Sequence, residues 1–493
     1  MTEEEYKRYI TQMAEFARAK RLALKDLNAR QTKALLKKYS RKDIATYIEN
    51  PDRNYEKLQE MSWYFYAVSP NYKRLINYLS ELPTDNYYIT PVDTIEDIDT
   101  FKELYVSVCK KYKRWGLKDI LPDIRKHVLI TGEFFGVYFE NKNDFCLRKL
   151  PNKYCRIASI EGGVLCFSFD LDFFNDKENF KFIKEYGNDF VKAYRKYKGD
   201  KELGIEPDKT LRWFEPKNQI CVKLDKLNFE YSLPYFVGLF DSVLDVGEYS
   251  QIKKDRTVAQ NSKIITLEMS TNDSGLPAMD LEIARPYYDM VSNSVPDNVG
   301  VALAPFKFGN FNLQDTNQSD NDIAMEANKN FWNNAGVSSL LFGVGDNPTS
   351  QTLLLSVKTD EVAMFKLNTQ IARVIDVRYR RINPKCLFSI NFLEQSIFNK
   401  EEVTTQLIKG STYGLPNRLM VIASLGLEPI DAINMIFLEE QVFRFTIDSL
   451  NRPLLQSSTL SPDSEGGRPT NESQGLGTSD STEKGMDNNG ENR

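Results

Sequence analysis

"GVSSLLFGVGDNPTSQTLLLSV", residues 336–357, lies between two segments of helical periodicity, and how it is read decides the rest of the chain. Gly343 and Gly345 make a Gly-x-Gly turn, a common cradle for phosphate. A dinucleotide fingerprint also needs a preceding strand and a third glycine three residues on. Pro348 stands in that third place. The Walker pattern needs Gly-Lys-Ser/Thr, and no lysine occurs between Val337 and Gln351. The turn therefore reads as a helix-helix connection in which Gly343, Gly345 and Asn347 supply unusual backbone angles. Its first half, "VSSLLF", is apolar for a surface connection, so it should have something to touch.

The flanks support this. Upstream, "SDNDIAMEANKNFWNNAG" (residues 319–336) predicts a helix capped by Ser319, with Asp320 and Asp322 in the first turn. Its apolar stripe is Ile323, Ala327, Phe331 and Ala335, and Gly336 is the stop. Downstream, "SQTLLLSVKTDEVAMFKLNTQIARVIDVRYRRI" (residues 350–382) has neither proline nor glycine, with Thr349 or Ser350 as its cap. A helix this long leaves a globule or crosses a large assembly.

Further out, residues 1–48 read as a basic helical arm, rich in Lys, Arg, Ala and Leu, with acids interspersed. Residues 50–119 read as helical, with a break at "ELPTDNYYITPVD" where Pro83 and Pro91 stop helices. Aromatic and β-branched runs over 129–174 predict an antiparallel meander, 172–208 a charged helical insertion, and 211–224 further strands. Together, residues 49–231 form one α+β unit. Pro234 opens what reads as a single helix of almost thirty residues, 234–262, and short strands and turns occupy 263–318. A strand at "CLFSINFLE" and a helical module from Lys400 to Asp448 close the folded part. Residues 456–493 hold almost no large apolar residue and read as a disordered tail.

Bulk properties narrow the function. At 493 residues, about one domain per ~150 residues gives about three structural regions. With 64 Lys+Arg against 69 Asp+Glu, net charge −5, the chain lacks the cationic excess that grips nucleic acid by counterion release. Its 6 cysteines show no Cys-x-x-Cys pair and read as thiols kept in a reducing cytoplasm. The start lacks a secretory layout, and no apolar run reaches the ~20 residues that span a bilayer, so a soluble protein is expected.

Catalytic options are few. His127 is the only histidine, which excludes two-histidine metal sites and leaves a serine triad no base but His127. It reads as a partly exposed helix residue beside Arg125 and Lys126. Asp170 and Asp172 resemble metal carboxylates only in spacing, and without further ligands they read as a solvated edge. Asp320 and Asp322 read as helix capping plus negative surface.

The order of elements resembles that of the portal proteins of tailed bacteriophages. "YAVSPNYKRLINYLSELPTDNYYITP" looks like their early wing helix, "LITGEFFGVYF" like their wing strands, and "SPDSEGGRPTNES" like their tails. The resemblance implies an α+β portal-type fold: a basic arm 1–48, a wing 49–231, a first stem helix 232–262 and a clip 263–318. A second stem helix 319–336, a tunnel loop 337–349, a long wing helix and strand 350–399, a crown 400–450 and a loose tail 451–493 would follow. It also implies a ring, typically of twelve copies, at one capsid vertex of the virion, with double-stranded DNA passing through during packaging and ejection. Its partners would be the terminase large subunit, a head-completion or tail adaptor, and the major capsid and scaffolding proteins. Neither cofactor nor membrane is implied, and no catalysis. The implied tunnel loop is Leu340, Leu341, Phe342, Gly343, Gly345, Asp346 and Asn347; the implied channel-lining acids are Asp320, Asp322 and Glu326. Such acids would repel phosphates and give a low-friction sleeve. Two other classes stand beside this one: a metal-dependent nucleic-acid-processing enzyme using Asp170 and Asp172, and a monomeric structural adaptor.

Overall fold

The computed structural model describes residues 39–141, 144–199, 206–249, 263–268, 290, 299–304, 319–343, 350–382 and 387–443. Of these, 263–268, 299–304, 319–324, 350–352 and 382 are described in backbone only.

Three helices open this part: α1 (Arg41–Glu49), α2 (Pro51–Val68) and α3 (Pro70–Glu81). Ser40 and Asp43 form a capping box on the first, and prolines begin the other two, where a missing amide costs no helical hydrogen bond. Strand β1 (Tyr87–Pro91) follows, then α4 (Ile98–Trp115) and α5 (Leu117–Thr131). Gly132 ends α5 at φ 85°, and a Cβ there would stand 2.2 Å from the Leu233 carbonyl oxygen, so only glycine fits.

The next strands are β2 (Glu133–Glu140), β3 (Phe145–Lys149), β4 (Cys155–Glu161) and β5 (Val164–Asp170). Short helices α6 (Lys177–Phe180) and α7 (Asn188–Lys198) separate them from β6 (Trp213–Phe214) and β7 (Gln219–Lys223). The expected single meander is instead two hairpins in two sheets, ordered β3-β2-β7 and β4-β5-β6, all antiparallel. The reason lies in β5. Every residue of it is buried, so it needs cover on both faces and cannot be a half-solvated meander strand. Phe167 and Phe169 of β5 form an aromatic core with Phe135, Phe174, Tyr186 and Phe190.

The continuous helix expected from Pro234 starts later. A 3-10 turn at Val237–Leu239 precedes α8, residues 240–249. The Tyr235 amide donates to the Leu129 carbonyl at 3.1 Å, which draws it out of helical bonding. Phe236 and Phe240 pack on Tyr72, and Phe240 also on Phe65. Within the stretch expected to hold strands and turns, β8 (Lys263–Glu268) and β9 (Val299–Ala304) pair in parallel.

Helix α9 (Ser319–Asn334) and helix α10 (Ser350–Ile382) follow, the second unbroken over 33 residues, about 50 Å at ~1.5 Å per residue. Strand β10 (Phe388–Phe392) returns to pair antiparallel with β1, Tyr87 opposite Phe392. Helices α11 (Lys400–Thr412), α12 (Arg418–Ser424) and α13 (Pro429–Phe437) complete the order. The described residues up to Ile430 form one compact unit; a second begins at Asp431 and, in its described part, ends in a π turn at Leu438–Val442.

Helix α10 packs on β10, β7, β5 and α3. One buried ionic node fixes it. Arg125 of α5, wholly buried, makes a bidentate pair with Asp85 at 2.7 Å and 2.7 Å, and donates to the Ser80 carbonyl at 2.8 Å and to Asn368 Oδ1 at 2.6 Å. Asn368 Nδ2 returns to Asp85 at 2.9 Å, so each polar group at this depth has partners. His127 is buried too, at 5% exposure, where a half-solvated site was expected. Its Nδ1 lies 3.0 Å from the Glu133 carbonyl and its ring contacts Trp63 and Phe134. The neighbours Arg125 and Lys126 misled: α5 turns its 124–131 stretch almost entirely inward, charged residues included.

Candidate functional site

The connection between α9 and α10 is built from its two ends. Gly336, at φ 72°, stops α9 as expected, and the Gly336 and Val337 amides donate to the Asn333 and Trp332 carbonyls at 3.0 Å and 3.3 Å. This double bond with a left-handed glycine is a Schellman stop, and Val337 is buried behind it. A 3-10 turn, Ser339–Phe342, comes next, closed by Gly343 at φ 79°. Gly343 thus serves to end a turn.

The apolar half of the connection touches its own chain. The Phe342 ring stacks on Trp332 of α9, centroids 3.7 Å apart and planes 6° off parallel. From α3, Tyr78 meets it edge-on at 5.5 Å, and the Arg74 guanidinium lies 4.9 Å from its centroid. Spacing puts both α3 residues on one face, four apart. The Tyr78 hydroxyl in turn donates to Asp360 Oδ2 of α10 at 3.0 Å. Burial first, with Glu361 adding to it, pushes the Asp360 carboxyl up to about 6, against the pull of the Tyr78 hydrogen bond. Phe342 is therefore one member of a cluster drawn from α3, α9 and α10.

Leu340 and Leu341 are half-buried beside it. Gly345, Asp346 and Asn347 lie outside the described residues. Positions 320 and 322 are in the first turn of α9, with side chains outside the description; Glu326 is exposed. Ala327 and Phe331, from the expected stripe, are buried. Trp332, Tyr78, Arg74 and Asp360 escaped the sequence reading. Trp332 sits beside a stripe residue, and nothing in sequence pairs it with a ring ten positions on.

The two aspartates weighed as metal ligands are not a solvated edge. Asp170 is 5% exposed and caps the turn after β5, accepting from the Asp172 amide at 2.9 Å. Arg212 grips it bidentately, at 2.9 Å and 2.5 Å, and reaches Asp172 at 3.1 Å. Asp172 also accepts from Tyr197 and Asn175, which hold its carboxyl below its ordinary value, the Tyr197 bond most of all. A guanidinium already neutralises both. A second group, Glu161, Cys166 and Glu215, has ligand atoms within 4.8 Å of one another. Arg378 donates to Cys166 Sγ at 2.8 Å and Arg381 to Glu161 at 2.7 Å, so cationic side chains stand where a metal ion would.

An open groove of about 480 Å³ lies between α10 and α11. Leu354, Val357 and Phe398 give it apolar walls, and the Lys358–Glu402 ion pair, 3.4 Å, joins its two helices. Among the described residues no single helix is long and apolar enough to cross a membrane. The expected arm before Tyr39, most of residues 263–318, and the tail after Phe443 lie outside the described residues.

No family model matches the chain, and no curated protein does. Among solved structures it is similar to a chain of a native gene transfer agent virion, with TM-score 0.44, 10% identity, and 75% of this chain and 93% of that one covered. It is similar also to a chain from the neck of an empty gene transfer agent particle computed with C6 symmetry, at 0.42 and 10%, covering 71% and 91%. A chain from the neck of the native particle computed with C12 symmetry stands at 0.40 and 11%, covering 76% and 94%.

Proposed function

We propose that the chain is a portal subunit of the tailed-phage type, one copy of a ring of about twelve at a capsid vertex. The ring conducts double-stranded DNA during packaging and ejection and docks the terminase large subunit and then a head-completion or tail adaptor, with major capsid and scaffolding proteins around it. The chain catalyses nothing in this reading; ATP hydrolysis belongs to the separate motor. The observation that carries it is the succession of α9, the Phe342-anchored connection and the unbroken 33-residue α10 behind a mixed helix-and-sheet body.

The segments take the portal parts named from the sequence: wing 49–231, first stem helix 232–262, clip 263–318, second stem helix 319–336, tunnel loop 337–349, long wing helix and strand 350–399, crown 400–450. Exposed Glu326 supports an acidic lumen, since each phosphate neutralised by a cation would add a grip to be broken at every step. Arg212 across Asp170 and Asp172 speaks against the metal-dependent nuclease.

Single-particle electron microscopy of the purified protein, with mass measured on the same sample, tests the reading. Rings with a hole wide enough for duplex DNA are expected. A protein that stays monomeric at high concentration and with a scaffolding partner overturns it in favour of the monomeric adaptor.

A further inference from the structure

We propose that Phe342 is a latch: seated between α3 and α9 it holds the connection 337–343 closed on the body, and its hold is graded by the charge on Asp360, transmitted through Tyr78. The inference deepens the portal reading, where this connection is the tunnel loop, and rests on it only for what the latch regulates.

The seat has three sides. Trp332 covers one face of the Phe342 ring, Tyr78 presents its edge, and Arg74 adds a cation near the ring. Of these, Tyr78 is tied to α10, by its hydroxyl on Asp360. A shift of Tyr78 relative to α10 therefore reaches Phe342 directly. Tyr78 joins the two helices at one end of a contact that the Arg125–Asp85–Asn368 node fixes at the other.

Charges around Asp360 leave its ionised form poorly compensated. Lys358, on the same helix, is turned to Glu402 of α11. Glu361 is buried and accepts from Ser396 and Asn399 of the turn before α11. Arg74 of α3 lies by Phe342. Asp360 has no ion pair among the described residues, so an ionised Asp360 relies on Tyr78 and on water. Admitting water between α3 and α10 parts Tyr78 from its place and loosens the seat.

The direction follows from the carboxyl held up to about 6 against an ordinary 3.8. The closed form binds the proton more tightly than an open form with a hydrated carboxyl. Its stabilisation is complete below the ordinary value and is lost as pH rises through about 6.

Hydrogen exchange of the full chain, read on peptides covering 337–343 and corrected for intrinsic rate, tests this. Between about pH 5 and about pH 7.5 the wild type should open roughly tenfold more often, the effect of one carboxyl shifted by about one unit or more between states. Asp360→Asn should flatten that dependence, and Phe342→Ala should remove protection at both pH values. An Asp360→Asn profile identical to wild type, or unchanged protection in Phe342→Ala, overturns the latch. Mass measured on the same samples separates the two readings: intact rings with a flat wild-type profile sink the latch alone, and a pH-dependent profile in obligate monomers sinks the ring alone.

Discussion

Over residues 363–382, α10 buries Met364, Leu367, Ile371, Val374 and Ile375; over 353–362 the same helix leaves Leu354, Leu355 and Val362 at 47%, 69% and 50% exposure. One aspartate from each half differs in the same way, while Glu361, also in front, is buried and held by Ser396 and Asn399. Asp376 in the rear accepts from the Ser389 hydroxyl and the Ile390 amide of β10, two donors fixed by a strand. Asp360 in the front has one among the described residues, the hydroxyl of Tyr78. The rear half is packed by its own chain, whereas the front half, with Val357 and Glu361 buried, still turns Leu354, Leu355 and Val362 outward and holds Asp360 by a single side-chain hydrogen bond among the described residues. In a ring, that is the half left for a neighbour to cover.

The contrast can be broken most severely at the rear. Arg125→Ala strands the buried Asp85 carboxylate and should cost about 3–5 kcal/mol of unfolding free energy, read by urea denaturation. A loss below about 1 kcal/mol would mean that the node does not fix α10. Ile371→Ala, a cavity in the middle of the rear half, should cost about 3 kcal/mol in the same assay. Phe342→Ala removes a half-buried ring and its aromatic pairs, and about 1–2 kcal/mol is expected. A loss as large as that of Ile371→Ala would place Phe342 in the core proper.

Leu355→Asp marks the other extreme. It should change unfolding by no more than about 0.5 kcal/mol, since the side chain is exposed, yet weaken ring formation measured by mass photometry. Rings of unchanged stability would deny the front half its neighbour. The smallest effect is in pH. Burial raises both Asp360 and Asp376, so stability should fall as pH climbs from about 4 to about 7, and Asp360→Asn should remove part of the slope.

The length of α10 was legible because nothing in 350–382 breaks a helix. Its two-sidedness was not, since Leu354 and Leu355 look as apolar as Leu367, and only the packing of β5, β7 and β10 on the rear separates them. Gly336 was legible as a stop because a left-handed glycine after an apolar stripe is a local signal. The partners of Phe342 were not: a stack on Trp332 and an edge from Tyr78 depend on how three helices meet. Arg125 and His127 were misread because charge predicts exposure only when no partner waits inside. The pairing of β1 with β10 left no mark at all, since a five-residue strand between prolines looks like a break.

That pairing has a consequence for how the chain is made. Residues 87–91 find their partners at 388–392, some three hundred positions later in synthesis. Closing so long a loop costs only about 0.6 kcal/mol more than one of half the length, but the contact cannot form until its second strand has left the ribosome. Long-range contacts of this kind slow folding. A growing chain therefore holds its aromatic core beside an unclosed body, and premature termination before Phe388 leaves Tyr87 and Ile89 without their partner strand.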